Sequence, residues 1–267
     1  MTTPYLYIRG KYRTWAIKNY QKTLDAKKLR ALHNIHKGER CVIVANGPSL
    51  TPSDLDAISE AGMVSFAMNR IFKIFPQTKW RPTYYVCEDI NVFKDSVEQI
   101  NLITAKRKFI PKEIDWFHGI KIKKANNFWI NYDEKKRYPL SFSPEIDKQI
   151  DGAGTVTHTC IVIAAYMGFE EIYLLGVDNN YYKSIDENGN EVIDENAKDH
   201  FCKDYNEGIE DIAVHNIGNN TRSYKNAKTY CDENGIKIYN ATRGGKLEVY
   251  PRVDLDELLN TVCQEKK

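Results

Sequence analysis

Four apolar runs in this chain end on residues fitted to hold a polar ligand. Cys41–Ala45 stops at Asn46-Gly47-Pro48-Ser49, Val64–Met68 at Asn69, Thr83–Cys87 at Glu88-Asp89, and Ile172–Leu175 at Gly176-Val177-Asp178. A fifth segment, Gly152-Ala153-Gly154-Thr155, opens the apolar helix expected at Val156–Tyr166. The chemistry is that of a nucleotide. Asn46 and Asn69 can hydrogen-bond sugar hydroxyls or base edges. A glycine such as Gly47 lets a phosphate come close, and free N–H groups at a helix start attract anions. Singly, each Asn or Gly is also what an ordinary turn uses; their recurrence at successive strand ends argues for a site. Neither G-x-G-x-x-G nor G-x-x-x-x-G-K-[ST] follows the first strand, which argues against a dinucleotide oxidoreductase or a P-loop enzyme.

Those ends meet only if the strands run parallel, since parallel strands place their carboxyl ends on one rim, where open α/β sheets bind ligands. Strands are expected at 41–45, 64–68, 83–87, 108–110, 172–175 and 236–239, and helices at 14–33, 52–61, 92–105, 156–166, 221–234 and 254–263. This alternation predicts an α/β, Rossmann-like three-layer fold with a mostly parallel sheet. Thr51-Pro52-Ser53-Asp54 reads as a capping box with proline at the first helical position. Residues 1–38 form a basic amphipathic helical extension, and 39–267 a single nucleotide-binding domain. Within that domain, the aromatic-rich stretch at about 111–150 reads as an insert. The polar stretch at about 179–220 reads as a lid.

A formal net charge of +2 with 28% charged and 42% hydrophobic residues suits a globular protein and gives no reason to expect nucleic acid as a partner. No apolar run is long enough to span a bilayer, and MTTPYLYIRGKYR has no apolar core of a secretory signal, so a cytoplasmic protein is expected. The six cysteines are scattered without a C-x-x-C pair and read as small apolar residues, not as a zinc site. The charge is unevenly placed. Residues 1–40 hold ten Lys/Arg against Asp25 and Glu39, whereas 183–211 hold ten Asp/Glu against three lysines. The basic front is expected to pack on the domain, with its lysines solvated or meeting the acidic insert. The alternative is a peripheral contact of residues 1–37 with the inner face of an anionic membrane.

CVIVANGPSL, MNR, GAGTVTHTCIVIAAYMGFEEIYLLGVDNNYY and GIKIYNATRGGKLEVYPRVDLDELL resemble the MptE-like domain family over about residues 40–260. That family takes in archaeal 6-hydroxymethylpterin diphosphokinases and motility-accessory glycosyltransferases. The first three blocks are also similar to the bacterial family 42 sialyltransferases, which have one Rossmann-like domain with a lid. The sialyltransferase resemblance implies roles. Asn46 and Gly47 would lie beside the nucleotide phosphate and ribose, and Asn69 would contact the nucleotide. Glu88 stands where a second ribose-binding Asn is expected. Thr155, Val156 and Thr157 match a T-S-G turn for base and donor sugar, with Val156 in place of the serine. Tyr181 and Tyr182 lie near a lid tyrosine that binds the departing phosphate. His215 lies three residues from the general base, with His200 as its rival; His158 suits helix packing better.

Pro48, Ser49, Asp89, Gly154 and Asp178 complete the expected binding rim. Arg243, with Lys246 and Arg252, can neutralise a diphosphate or form a surface turn; Asp254-Leu255-Asp256 reads as a helix cap more than a metal-binding D-x-D. The expected activity is a glycosyltransferase of bacterial surface-polysaccharide biosynthesis. Its donor is a nucleotide sugar, first a CMP-linked nonulosonic acid, and its acceptor a glycan, lipid-linked in one version. A monophosphate leaving group needs no metal, whereas a diphosphate donor or ATP brings Mg²⁺. The alternatives are an ATP/Mg²⁺ diphosphokinase with Glu88, Asp89 and Asp178 around the metal, and a non-catalytic nucleotide- or glycan-binding module. A homo-oligomer is compatible with each.

Overall fold

The computed structural model describes residues 3–131, 142–186, 188–208 and 214–266. In chain order the elements are α1 (Thr3–Tyr20), α2 (Leu24–Arg30), β1 (Arg40–Val44), α3 (Pro52–Glu60) and β2 (Val64–Met68). After a 3₁₀ helix, Ile71–Gln77, come β3 (Tyr84–Val86), α4 (Ile90–Leu102), β4 (Arg107–Pro111), α5 (Lys112–His118) and β5 (Ala125–Phe128). Then follow β6 (Ile130–Asn131), β7 (Ile150–Asp151), α6 (Val156–Tyr166), β8 (Glu171–Leu175), β9 (Lys183–Ile185) and β10 (Glu191–Ile193). β11 (His215–Asn216), α7 (Ile217–Glu233), β12 (Lys237–Asn240) and α8 (Leu255–Glu265) close the series.

Seven strands form one parallel sheet in the order β12-β8-β1-β2-β3-β4-β5. The central strand β1 alternates its faces. Cys41 and Ile43 join the core formed with α2, α6 and α7, while Val42 and Val44 join the core formed with α3, α4 and α8. The Rossmann-like three-layer expectation is met. From β1 the chain builds outward through β2 to β5 on one side, and β8 and β12 fill the other. The switch point therefore falls between β1 and β8, where the carboxyl ends open a crevice.

Local chemistry accounts for the boundaries. Thr51 accepts from the Asp54 N–H at 3.3 Å while Asp54 accepts from the Thr51 N–H at 3.1 Å, the reciprocal cap expected at α3. The single helix expected at 14–33 is two helices, because Thr23 caps a new one by accepting from the Ala26 N–H. Tyr20, Ala26, Leu29 and Leu32 are buried, but Leu24, expected on the packing face, is exposed. The stretch from 111 supplies α5 and the seventh strand, β5, so it is not all insert. The sequence ANNF hides β5 because two asparagines break its apolar pattern. Tyr132 and Tyr138 of that stretch lie outside the described residues. The lid carries a small sheet of its own, β10-β9-β11. Cys41, Cys87, Cys160 and Cys231 are buried, as small apolar residues are.

The basic front packs on the body. Arg13 pairs with Glu113 at 3.0 Å, Lys112 reaches back to Asp25 at 3.2 Å, and Tyr12 stacks on Trp116 with centroids 4.4 Å apart. Arg30 meets Asp147 and Arg40 meets Glu171. Among the described residues, the ion pairs of this segment thus run to the body of the domain and not to the acidic insert. The insert's Glu191 and Asp194 pair instead with Lys183 and Lys246.

Candidate active site

A cavity of about 460 Å³ opens at the carboxyl ends of β1, β2, β3 and β8, under the lid. It gathers most of the residues expected from the sequence: Asn46, Gly47, Asn69, Glu88, Asp89, Gly154, Thr155, Val156, Thr157, Asp178, Tyr181 and His215, with His200 beside them. Pro48, Ser49, Tyr182 and Arg243 do not line it. The Ser49 hydroxyl donates to Asp178 Oδ2 at 2.8 Å. Tyr182 is exposed, and its N–H donates to Asp199.

The cations expected near a phosphate are committed elsewhere. Arg243 pairs with Asp54 at 2.6 Å, Lys246 with Asp194, and Arg252 with Glu248. Asp254 caps α8, accepting from the N–H groups of Asp256 and Glu257. His158 is buried in α6 with its ring edge-on to Phe142, a packing residue.

Gly47 answers a different need from the one expected. A Cβ built there would lie 1.9 Å from Asp178 Oδ2 and 2.5 Å from the Gly176 carbonyl oxygen. Its N–H donates to that same carbonyl at 2.9 Å. The missing side chain lets the turns after β1 and β8 touch, which is how the two halves of the rim meet.

Two features define what the cavity can bind. The first is a set of buried acceptors with no partner among the described residues: Asn46 Oδ1, Asn69 Oδ1, Asn179 Oδ1 and Glu88 Oε1. Asn69 and Asn179 sit in the left-handed region, at φ 47° and 49°. Buried polar atoms are normally paired, so these call for a ligand rich in hydroxyl or amine donors. The second is the start of α6. Gly154 takes φ 73°, and no side chain caps the first turn after Thr155; the His158 N–H donates to the Thr155 carbonyl at 3.1 Å, so the N–H groups of Val156 and Thr157 are the ones that can meet an anion. The described lining contains four carboxylates, Glu88, Asp89, Asp178 and Asp199, and no Lys or Arg.

The titratable groups are set by burial. Desolvation lowers His215 from its ordinary value, against the opposing pull of Asp199 and Asp89, so its imidazole is neutral. Its ring stacks on Tyr181, centroids 3.8 Å apart. His200 is pushed down to about 4 by burial and by His215, and it stacks on Tyr205. Burial raises Glu88 to about 7, with the Thr159 hydroxyl pulling the other way.

The lid is tied down over this chemistry. Arg70, fully buried, donates to the carbonyls of Tyr205 and Glu207 and pairs with Asp95 at 2.5 Å. The Phe201 N–H donates to the Asn46 carbonyl. Neither Arg70 nor the lining residues Asn180, Tyr205, Asn206, Asn219, Asn220 and Tyr224 were expected. The paired asparagines at 179–180 and 219–220 were the visible signal, but no motif set them apart from loop composition.

Buried neutral histidines make the fold acid-sensitive. His158 and His200 stay neutral down to about pH 4, whereas in the unfolded chain they take a proton below 6.5. Between those values the unfolded chain binds more protons, so stability is lost as pH falls from 6.5 towards 4. Each contributes at most about 3 kcal/mol to that loss. Denaturant titrations across this range should show the decline, and His158→Asn should make it shallower; an unchanged slope would rule out the buried imidazole as its source.

Among the described residues, no three His, Cys, Asp or Glu side chains are grouped to hold a metal ion. A family model described as 6-hydroxymethylpterin diphosphokinase MptE-like matches residues 15–184. The match takes in β1 to β8 and leaves His215, α7 and the block at 235–259 beyond it. No curated protein matches the chain. Among solved structures, the chain is similar to the MAf glycosyltransferase from Magnetospirillum magneticum AMB-1, with TM-score 0.49 and 14% identity. That alignment covers 92% of this chain and 42% of the glycosyltransferase, so the chain spans less than half of that protein's length.

Proposed function

The chain belongs to the MptE-like family, and we propose that it acts there as a glycosyltransferase taking a nucleotide-sugar donor, with a glycan hydroxyl as acceptor. One observation carries the reading. An uncapped helix start and a neutral histidine share a single cavity with a set of buried, unpaired acceptors. The donor's phosphate is held at the first turn of α6, and its ribose and sugar hydroxyls donate to Asn46, Asn69 and Asn179. The acceptor oxygen forms its bond to the anomeric carbon as the bond to the phosphate oxygen breaks, and the electron pair leaves with the phosphate. His215 takes the acceptor's proton. Tyr181 fixes the imidazole by stacking. Burial holds its hydroxyl well above the usual phenol range, so it remains protonated and can donate to the leaving group.

A CMP-linked nonulosonic acid is the first candidate donor. Its leaving group, CMP, is a monophosphate and asks least of a described lining without Lys or Arg. Glu88 supports the same choice. A carboxyl held protonated below about pH 7 has one donor and one acceptor, the pair an amide offers, so it can serve where an Asn is expected. The place proposed is the cytoplasm, in surface-polysaccharide assembly.

The four carboxylates favour a second reading, an ATP-dependent diphosphokinase in which Glu88, Asp89 and Asp178 attend Mg²⁺. The described residues form no ready metal cluster, and no step is assigned to one.

Titrating CMP, UDP, GDP and ATP with and without Mg²⁺ separates these. Tight CMP binding that survives EDTA is expected. The affinity should weaken as pH rises through about 7, when Glu88 ionises, and Glu88→Gln should remove that dependence. Binding of ATP alone, and only with Mg²⁺, would turn the assignment to the diphosphokinase. Nucleotide binding with no product from any donor would leave a binding module.

A further inference from the structure

We propose that the outer face of α1 docks this protein on an anionic lipid surface. Large apolar residues left in water concentrate there: Tyr7 is 62% exposed, Ile8 67%, Tyr12 50% and Trp15 59%, with Leu24 at 75% just beyond. At 3.6 residues per turn, Tyr7, Ile8, Lys11, Tyr12, Trp15 and Lys18 fall within an arc of about 140°. Tyr20, which is buried, lies on the opposite side; Tyr12 marks the edge of the arc, next to the buried Ala16, with its half-exposed ring stacked on Trp116.

The helix also sorts its cations by side. Arg9 lies over the Phe117 ring at 3.8 Å and Arg13 pairs with Glu113, both against the body. Lys11 and Lys18 on the outer arc, and the exposed Lys22, Lys27 and Lys28 after it, take part in no ion pair among the described residues. Lys11 instead lies over the Tyr7 ring.

Aromatic rings interleaved with lysines suit the headgroup layer, where rings lie at the apolar boundary and cations meet lipid phosphate. No helix among the described residues is long and apolar enough to cross a membrane, so the contact is along the surface. Charge decides between a membrane and a second copy of the chain. Two such faces brought together would oppose their own unpaired lysines, whereas an anionic surface complements them. The inference does not depend on the transferase reading.

Cosedimentation of the full chain with vesicles tests it. Binding is expected to phosphatidylcholine–phosphatidylglycerol vesicles at low salt, with release at high salt and none to phosphatidylcholine alone. Lys11→Ala with Lys18→Ala should lower the partition coefficient about 25-fold, at about fivefold per lysine. Ile8→Ser with Trp15→Ser should lower it independently. Because all four positions are solvent-facing, thermal melts of these variants should match the parent. Absence of binding at low salt would overturn the proposal, as would binding indifferent to both pairs of substitutions. So would a concentration-dependent dimer, seen by light scattering, that Ile8→Ser with Trp15→Ser dissolves.

Discussion

Replacing His215 by alanine is expected to lower kcat by about 10²–10⁴-fold, the range for losing a general base, while CMP affinity stays within about twofold. The split follows from position. The donor's phosphate and ribose are assigned to the start of α6 and to the asparagines at the ends of β1, β2 and β8, whereas His215 enters from β11 of the lid. Its imidazole is kept neutral by burial, so it can accept a proton across the neutral range. Because that burial lowers its pKa, the acid limb of the rate profile should fall below 6.5, and His215→Ala should erase it. His200 is the control. Pushed down to about 4, it is the weaker base, and it stacks on the tethered Tyr205. A full loss of rate in His200→Ala with His215→Ala near wild type would move the base to His200.

The fold was legible where one physical cause dominated. Apolar runs bounded by glycine, asparagine or, for β3, Glu88-Asp89 gave β1, β2, β3 and β8, and the Thr51–Asp54 pattern gave α3, because a capping box is wholly local. β5 was missed because its burial is decided by a neighbour, β4, far from anything ANNF itself announces. The break between α1 and α2 turns on one hydroxyl at Thr23. The site was legible in the same uneven way. Strand-end residues come together because parallel strands share a rim, which topology guarantees once the strand order is set. What could not be read was the partner of each charge. Arg243, Lys246 and Arg252 look available in one dimension, but they are consumed by Asp54, Asp194 and Glu248 in three. Conversely, Arg70 looks like an ordinary loop cation beside MN. In the fold it is fully buried and clamps the lid, because the carbonyls of Tyr205 and Glu207 arrive from 135 and 137 residues away.

Gly47 brings that lesson to a measurement. Read from the sequence, its open space belongs to a phosphate, and a side chain there should block ligand without disturbing the fold. Read from the structure, the space is already occupied by Asp178 Oδ2 and by the Gly176 carbonyl, at 1.9 and 2.5 Å from where a methyl carbon would sit. No real Cβ tolerates such contacts, so something must move. The Asp178 carboxylate can swing aside, at the loss of its bond from Ser49, but the Gly176 carbonyl is backbone and also accepts from the Gly47 N–H. Gly47→Ala is therefore expected to cost about 3 kcal/mol, the upper part of the range for overpacking. That corresponds to a fall of roughly 6–12 °C in Tm for a chain of this size. Adding Asp178→Ala removes the nearer clash and leaves the backbone one. The double variant should recover part of the loss, a coupling that a double-mutant cycle measures directly. A Gly47→Ala protein that melts like the parent yet no longer binds CMP would return the space to the phosphate and undo the structural account of how the β1 and β8 turns meet.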